Sequence, residues 1–448
     1  MYLPPVTPSQ ARAVYALLHV TPAMVRLDRL YDALYFGSTF FHLVARIAFL
    51  ALGLSAAFRK QSDRLAGRIL AIGVVRKIRN ALQTALRWAE RLGFPTIRPG
   101  KAWASWPLGQ LISKFSSLWQ PLLFRSTIIY FLFYSFFFTV FWSPLSYYEN
   151  YVLQHRYGLS HQAFGAWIED FVKDASVDAA IGAFFAALII WIISIYPKRW
   201  ALVLAAWSAP IILIGIFLDP FFSQIDNHFT DLPRSSALFA PLHQLAARAG
   251  VPNAEILVAD KSKQTEETNA YVTGLGSSAQ IVLWDTTIRR MKGDEVVAIV
   301  GHELGHYVEH HVVIGGLLAS IAMFLFLPAL KRFAELLLNW IGRHSKVTSL
   351  SDPAGLPILI ISMSILSFVT SPITNEASRI IEHRADSFGL AVTGNRLAMA
   401  RAMVDLANQN LEDPYPPKWE VVWLSDHPPM GERIAFALNG QPIYIPRK

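Results

Sequence analysis

A short histidine motif carries the clearest chemistry in this sequence. His302 begins the run His-Glu-Leu-Gly-His. Positions four apart share one face of an α-helix, so His302 and His306 can place two imidazoles on one metal ion. Glu303 lies one residue further along, where its carboxylate can act on a water molecule without binding the metal. A Gly-Asp start signal at 293 and the apolar residues after it predict a helix through the motif.

The motif alone also fits an ordinary amphipathic helix, because a zinc hydrolase needs three protein ligands and one open position. The chain has no cysteine. Glu376, Glu382 and Asp386 are the acids of a later polar stretch that is predicted to be helical. Glu382 and Asp386 lie four residues apart, so Glu382 can bind the ion while Asp386 holds a ligand histidine. They could instead pair with Arg379 and Arg384 on a solvated face.

The two motifs together resemble a known family. The histidine motif is followed, about seventy residues later, by Asn375-x-x-Ser378-Arg379-x-x-Glu382-x-x-Ala385-Asp386. This pair is similar to that of the type I CAAX prenyl proteases, which are integral-membrane zinc endopeptidases. Further likeness lies in residues 148–162, 269–286 and 425–434, the last containing Ser-Asp-His-Pro-Pro. The resemblance spans roughly residues 120–440 and matches residues 1–120 poorly.

The resemblance implies roles for residues outside the first motif. His427 is expected to lie over the substrate carbonyl as a hydrogen-bond donor to the oxyanion, with Arg433 as a supporting cation. A lone histidine before two prolines is more often structural, so that alternative stays open. Asn375 and Arg379 are expected to brace Glu382.

A small sheet is predicted beside the motif helix, in a zincin-like α+β arrangement. Ile256–Ala259, Ala270–Thr273 and Gln280–Trp284 have the composition of short strands, and a glycine-rich turn joins the last two into a hairpin. The strand that begins with Asn269, Ala270 and Tyr271 is expected to pair with an extended peptide through backbone hydrogen bonds. Without the family likeness, an ordinary hairpin would be the favoured interpretation.

Composition indicates a membrane protein. The chain has 448 residues, of which 53% are hydrophobic and 16% charged, against about 25% charged in soluble proteins. The mean hydropathy is +0.34. The net charge is +8, but the basic residues cluster beside apolar segments, so a lipid bilayer is the predicted partner and nucleic acid is excluded.

The apolar segments predict a mainly α-helical, polytopic bundle. Six runs are long enough to span a bilayer: Phe36–Phe58, Leu122–Trp142, Ala179–Tyr196, Ala201–Leu218, Val312–Leu330 and Leu356–Ile373. A seventh candidate, Leu65–Ala89, fits an interfacial amphipathic helix better. The predicted organisation is a polar segment 1–35, membrane helices 36–218 with a basic loop 59–120, catalytic segment 219–311, two membrane helices 312–373 and catalytic segment 374–448.

Charge and family likeness disagree about orientation. Residues 59–120 hold twelve Lys and Arg against two acids, which favours a cytoplasmic location for that loop. With six spans, both catalytic segments then lie on the opposite side. The resemblance implies a catalytic domain that faces the cytosol, and a seventh span would restore that orientation. The side of the membrane that the site faces therefore stays open, in a bacterial inner membrane or an ER-type membrane.

These observations predict metal-assisted peptide hydrolysis. One Zn²⁺ per chain is expected on His302, His306 and Glu382, with Glu303 moving the proton. The expected substrates are peptides or membrane proteins, and the resemblance implies prenylated CAAX peptides among them. The alternatives are a quality-control protease for membrane proteins and a non-catalytic zinc-binding scaffold, although a scaffold has no need of Glu303.

Overall fold

The structure is a computed structural model that describes residues 6–71, 121–226, 228–274 and 279–440. Its helices are α1 (Pro8–Tyr15), α2 (Pro22–Ala51), α3 (Leu54–Ala71), α4 (Pro121–Tyr147), α5 (Phe164–Ile195), α6 (Trp200–Asp226), α7 (Phe239–Arg248), α8 (Asp285–Arg290), α9 (Gly293–Val308), α10 (His311–Ser345), α11 (Leu356–Thr393), α12 (Arg396–Gln409), α13 (Lys418–Trp423) and α14 (Met430–Asn439). Its strands are β1 (Phe229–Asp231), β2 (Glu255–Ala259), β3 (Ala270–Thr273) and β4 (Gln280–Trp284). A π-helical turn at Tyr148–Leu153 extends α4.

Long apolar helices dominate the described chain. Five are long and apolar enough to cross a membrane: Pro22–Ala51, Leu122–Arg156, Phe164–Ile195, His311–Ile341 and Pro353–Thr393. A shorter apolar stretch, Trp200–Ile216, belongs to α6. These six segments follow the order of the six predicted spans. The predicted mainly helical membrane bundle with a small sheet is confirmed.

The first of these helices lies earlier in the chain than predicted. α2 begins at Pro22, inside the expected polar segment 1–35, whereas the predicted span was Phe36–Phe58. Gly53 follows α2 with a φ of 69°, a left-handed conformation that glycine adopts at little cost. The predicted span therefore contains a helix break, which hydropathy alone does not reveal.

The site and the basic start of α3 lie at opposite ends of the bundle. Ser55 at the start of α3 donates a hydrogen bond to the carbonyl of Ala354 (2.8 Å), and Arg59 pairs with Asp352 (3.1 Å). Asp28, near the other end of α2, lines the same cavity as the histidine motif. Beyond residue 71, the predicted basic loop 59–120 and the predicted amphipathic helix 65–89 lie outside the described residues. Which membrane face each end occupies stays a prediction.

A four-stranded mixed sheet lies beside the motif helix. The strand order is β1-β2-β4-β3, with β2 and β4 parallel and the two outer pairs antiparallel. The three predicted strands and the β3–β4 hairpin are confirmed. The three residues of β1 were not predicted, because so short a segment shows no alternation. β3 is an edge strand, so one of its sides is not paired within the sheet.

A buried glutamate caps the start of the motif helix α9. The side chain of Glu295 accepts a hydrogen bond from the backbone of Lys292 (2.9 Å), which caps the helix. Glu295 is fully buried, and Arg401 of α12 donates to it (3.0 Å). α9 ends before His310, which has a left-handed φ of 56°, and α10 begins at the next residue.

Small residues let α9 and α11 approach closely. A Cβ atom placed on Gly389 would lie 2.8 Å from the backbone nitrogen of His302, and one on Gly305 would lie 3.1 Å from the Cα of Ala385. Nothing larger than glycine fits at Gly389 without moving the backbone of α9. The contact therefore sets the spacing between the histidine motif on α9 and Glu382 on α11.

We expect Gly389→Ala to reduce both stability and metal binding. The added methyl group must push α11 away from His302, and overpacking of this kind typically costs about 1–3 kcal/mol. Thermal unfolding and metal content of the purified protein measure the two effects. Gly315→Ala on α10 is the matched control, because nothing lies within 4 Å of the added methyl there. Equal melting temperatures and metal contents for the two variants would show that the close approach is not required.

Candidate metal centre

Three donor side chains converge between α9 and α11. The Nε2 atoms of His302 and His306 lie 3.1 Å apart. Glu382 Oε2 lies 3.2 Å from His302 Nε2, and Glu382 Oε1 lies 3.3 Å from His306 Nε2. Ligands that share one zinc ion at about 2.1 Å lie roughly 3–4 Å from one another. These residues have the spacing of a metal site, with all ligand atoms within 4.8 Å.

The chemistry of the three donors also fits a cation. Glu382 is buried, and its Oε2 atom has no hydrogen-bond partner of normal geometry among the described residues. Burial by itself lowers the pKa of His302, but hydrogen bonds with Asp386 and Glu382 raise that pKa to about 9. The site therefore favours positive charge at His302 Nε2, and a metal ion meets the same requirement.

A buried ion pair between Asp386 and Arg433 fixes the orientation of the His302 imidazole. His302 Nδ1 lies 2.8 Å from Asp386 Oδ1. Arg433 of α14 donates to both oxygens of Asp386, at 2.7 and 2.9 Å. A carboxylate on Nδ1 fixes the imidazole so that Nε2 keeps its lone pair for a metal. Arg433 was predicted as a supporting cation for the oxyanion, but its guanidinium is engaged with Asp386, which indicates a positioning role.

His306 has a second support that the sequence did not reveal. His311 Nδ1 lies 3.3 Å from His306 Nδ1. On its other side, His311 Nε2 lies 3.1 Å from Glu309 Oε2, which also accepts from Arg384 (2.9 Å). The left-handed turn at His310 brings His311 back toward the motif. That turn carries no glycine, so no local sequence signal indicated it.

Glu303 faces a cavity that adjoins the three donors. Its Oε1 atom lies 3.9 Å from His302 Nε2, and burial raises the pKa of its carboxyl group. The cavity has a volume of about 490 Å³ and is lined by His302, Glu303, His427 and Arg433, among others. Glu303 and the metal donor His302 therefore line the same cavity.

His427 lies at the edge of the same cavity. Its Nδ1 atom lies 2.8 Å from Asp426 Oδ1, and its Nε2 atom lies 3.4 Å from Glu382 Oε1. The hydrogen bond with Asp426 raises the pKa of His427. The side chain is half exposed, so it can reach a bound substrate. The adjacent Asp426 was present in the sequence pattern, but its contact with the imidazole was not predicted.

The predicted bracing of Glu382 by Arg379 and Asn375 is not observed. Arg379 donates to the carbonyls of Val421 and Ser425, both at 2.6 Å. It therefore fixes the segment that leads to His427. Asn375 makes no hydrogen bond to Glu382 in the described structure. Both residues lie on α11. The carbonyl groups of Val421 and Ser425 determine where the Arg379 guanidinium lies.

The three predicted substrate-binding residues lie at the start of the edge strand. Asn269 lines the cavity, and its side chain accepts a hydrogen bond from the backbone of Ala270 (2.8 Å). Ala270 and Tyr271 continue along β3, outside the cavity lining. The side chain of Ala270 is buried. Only Asn269 of the three is thus next to the metal donors.

Comparisons with known proteins agree with this site. The sequence pattern of peptidase family M48 matches residues 234–440, and that of the CAAX prenyl protease N-terminal domain with five membrane helices matches residues 102–224. An uncharacterized metalloprotease of Bacillus subtilis, YhfN, is 33% identical over 296 residues, which are 64% of this chain and 68% of that protein. This chain belongs to the type I CAAX prenyl protease family. CAAX prenyl protease 1 of Saccharomyces cerevisiae is 29% identical over 311 residues, covering 65% of this chain and 67% of the yeast protein.

The fold of this family is also shared with a solved structure. The crystal structure of S. mikatae Ste24p superposes with a TM-score of 0.61 and 22% identity, covering 94% of this chain and 99% of that one. Family membership, the apolar helices and the donor cluster together identify a multi-pass membrane metalloendopeptidase. The predicted enzyme class is confirmed.

We expect this M48 peptidase to bind one metal ion per chain and to lose it in His302→Ala, His306→Ala or Glu382→Ala. Asp386→Asn should weaken binding by about 10–100-fold, since it removes the support of His302. Elemental analysis and chelator competition measure the two effects. Glu376→Ala is the matched control on α11, because that exposed carboxylate pairs with Arg379 (2.6 Å) and not with any metal donor in the described residues. Full metal retention in Glu382→Ala would exclude Glu382 as a ligand.

Proposed function

We propose that this peptidase is a zinc endopeptidase in which His302, His306 and Glu382 hold one Zn²⁺. The convergence of these three donors beside Glu303 is the observation that carries the proposal. Two histidines and one carboxylate are a donor set used by catalytic zinc sites. Zn²⁺ supplies Lewis-acid chemistry when bound, by polarising a carbonyl and lowering the pKa of water.

Glu303 is the proposed general base. Its carboxylate takes a proton from the attacking water and later passes it to the nitrogen of the leaving amine. Burial raises the pKa of this carboxyl group, and a raised pKa suits a group that must accept and release a proton near neutral pH. Asp386 and Arg433 keep His302 in one orientation throughout.

His427 is the proposed donor to the developing oxyanion. Asp426 occupies its Nδ1 side, and its Nε2 atom points toward the metal donors, 3.4 Å from Glu382 Oε1, where the substrate carbonyl would lie. The raised pKa of His427 favours the protonated ring, which donates a stronger hydrogen bond. Asn269 and the edge strand β3 are proposed to align the substrate backbone as an added strand.

Peptides and membrane proteins are the proposed substrates. Relatives of this chain are named CAAX prenyl protease 1, so a prenylated C-terminal peptide is the first candidate. Cleavage of a farnesylated CAAX peptide and of its unmodified counterpart by purified protein tests this directly. A rate that requires the farnesyl group supports CAAX processing, whereas equal rates favour a general role in membrane-protein quality control.

Glu303→Gln should keep the fold and the metal but lose turnover. The amide is nearly isosteric with the carboxyl group but cannot accept the proton, and loss of a general base typically costs roughly 10²–10⁴-fold in rate. Peptide cleavage per metal-loaded molecule measures the loss, with Glu376→Gln as the control. A Glu303→Gln rate close to wild type would rule out this mechanism.

His427→Ala should retain the metal and lower kcat more than it raises KM. An oxyanion donor acts mainly in the transition state, and losing one typically costs about 10²–10³-fold in rate. The decisive measurement is kcat normalised to folded, metal-loaded protein. A structural histidine would lower stability and leave the normalised kcat unchanged, which would require another donor.

A further inference from the structure

The site cavity has an acidic end that the proposed mechanism does not use. Five acidic side chains outside the catalytic set line it: Asp28, Glu267, Glu412, Asp413 and Glu420. None of the five forms an ion pair with a residue in the described ranges. Arg433 also lines the cavity, but its guanidinium is committed to Asp386. The acidic end therefore holds more carboxyl groups than basic partners, in the cavity that His302 also lines.

Two buried polar atoms around this end, Oγ1 of Thr268 and Nε1 of Trp284, have no hydrogen-bond partner among the described residues. Oε2 of Glu420 has none except the neighbouring carboxyl groups of Asp28 and Asp32, with which Glu420 can share a proton. Glu420 is 5% exposed and Thr268 is 3% exposed, and all three residues line the cavity. Buried polar atoms in proteins are nearly always hydrogen-bonded. Their concentration in one cavity indicates a polar ligand that is absent from the protein itself.

The charge of this end indicates a cationic ligand. Burial, and then the neighbouring carboxyl groups of Asp32 and Asp28, raise the pKa of Glu420 to about 9. Such crowding of acids is relieved when a cation is bound between them. Within the described residues, only His302, His306 and Glu382 have the spacing of metal ligands. An organic cation therefore fits the acidic end better than a second metal ion.

We propose that this acidic end is a substrate subsite for a cationic group, with Glu420 and Asp28 as its main acceptors. The inference rests on the proposed peptidase function and specifies one feature of its substrates. An ammonium or guanidinium group would donate to Glu420 Oε2 and Thr268 Oγ1. The subsite shares its cavity with His302 and Glu303, so the cation would lie close to the cleaved bond along the peptide. The group is a Lys or Arg side chain or a free α-amino group.

The test uses full-length protein and a quenched fluorescent peptide in which one lysine is moved through each position. Each peptide is compared with its ε-acetyl-lysine counterpart, and N-terminal acetylation separates a side chain from an α-amino group. We expect at least one position where lysine raises kcat/KM by about tenfold over acetyl-lysine, since one charge-assisted contact contributes about 1.4 kcal/mol. Glu420→Gln and Asp28→Asn should each lower that ratio.

Glu255→Gln is the matched control, because Glu255 is an exposed carboxylate of β2 that hydrogen-bonds Gln280 outside the cavity. It should keep the wild-type ratio. All rates are normalised to metal content, so a misfolded variant is recognised. Cleavage with equal kcat/KM for lysine and acetyl-lysine at every position would overturn the subsite and leave the peptidase function intact.

A binding measurement separates the two proposals completely. Fluorescence anisotropy of the same peptides with the Glu303→Gln protein reports affinity without turnover. Tighter binding of the lysine peptide, lost in Glu303→Gln/Glu420→Gln, supports the subsite even if the wild-type enzyme cleaves neither peptide. Equal affinity for the two peptides would contradict the subsite whatever the enzyme cleaves.

Discussion

The backbone contact between α9 and α11 is the constraint on which the site depends. Gly389 lies against the backbone of His302, and the same two helices supply every metal donor. A few tenths of an ångström between these axes change the distance from Glu382 to both imidazoles. The glycines have no chemical role, yet they define where the chemistry can occur. Close packing transmits such displacements because helices in contact move as rigid units.

The charged side chains around this contact are not balanced within the protein. Asp386 and Glu382 are buried carboxylates, and Arg433 is a buried guanidinium. Arg433 offsets one of the two negative charges, and the second remains on Glu382 beside two imidazoles. A buried unpaired charge is expensive to maintain. The protein therefore presents a position that a cation must complete, and this requirement links folding of the two helices to metal binding.

Local patterns predicted the parts of the site that lie on one element. The spacing of His302 and His306, and that of Glu382 and Asp386, follows from helix geometry. The three predicted strands were also right, because β-branched residues and turn signals are local. Long-range contacts were not predictable in this way. Asp28 and Glu420 meet from opposite ends of the chain, and Arg379 reaches α13 rather than Glu382 because tertiary packing determines its partner. Hydropathy did not predict the helix break at Gly53, because a hydropathy window averages over a single residue.

The left-handed turn at His310 fixes the short distance between the metal donors and the apolar helix α10. It ends α9 one turn after His306, and the apolar helix α10 starts at once with His311. The ring centroids of His306 and His311 lie 5.1 Å apart across this turn, a distance close to the thickness of the polar layer that covers each side of a bilayer. The metal donors thus lie beside the start of a helix that is long and apolar enough to cross a membrane. For the proposed lipid-anchored substrates, only a few extended residues would be needed between the anchor and the bond that is cut.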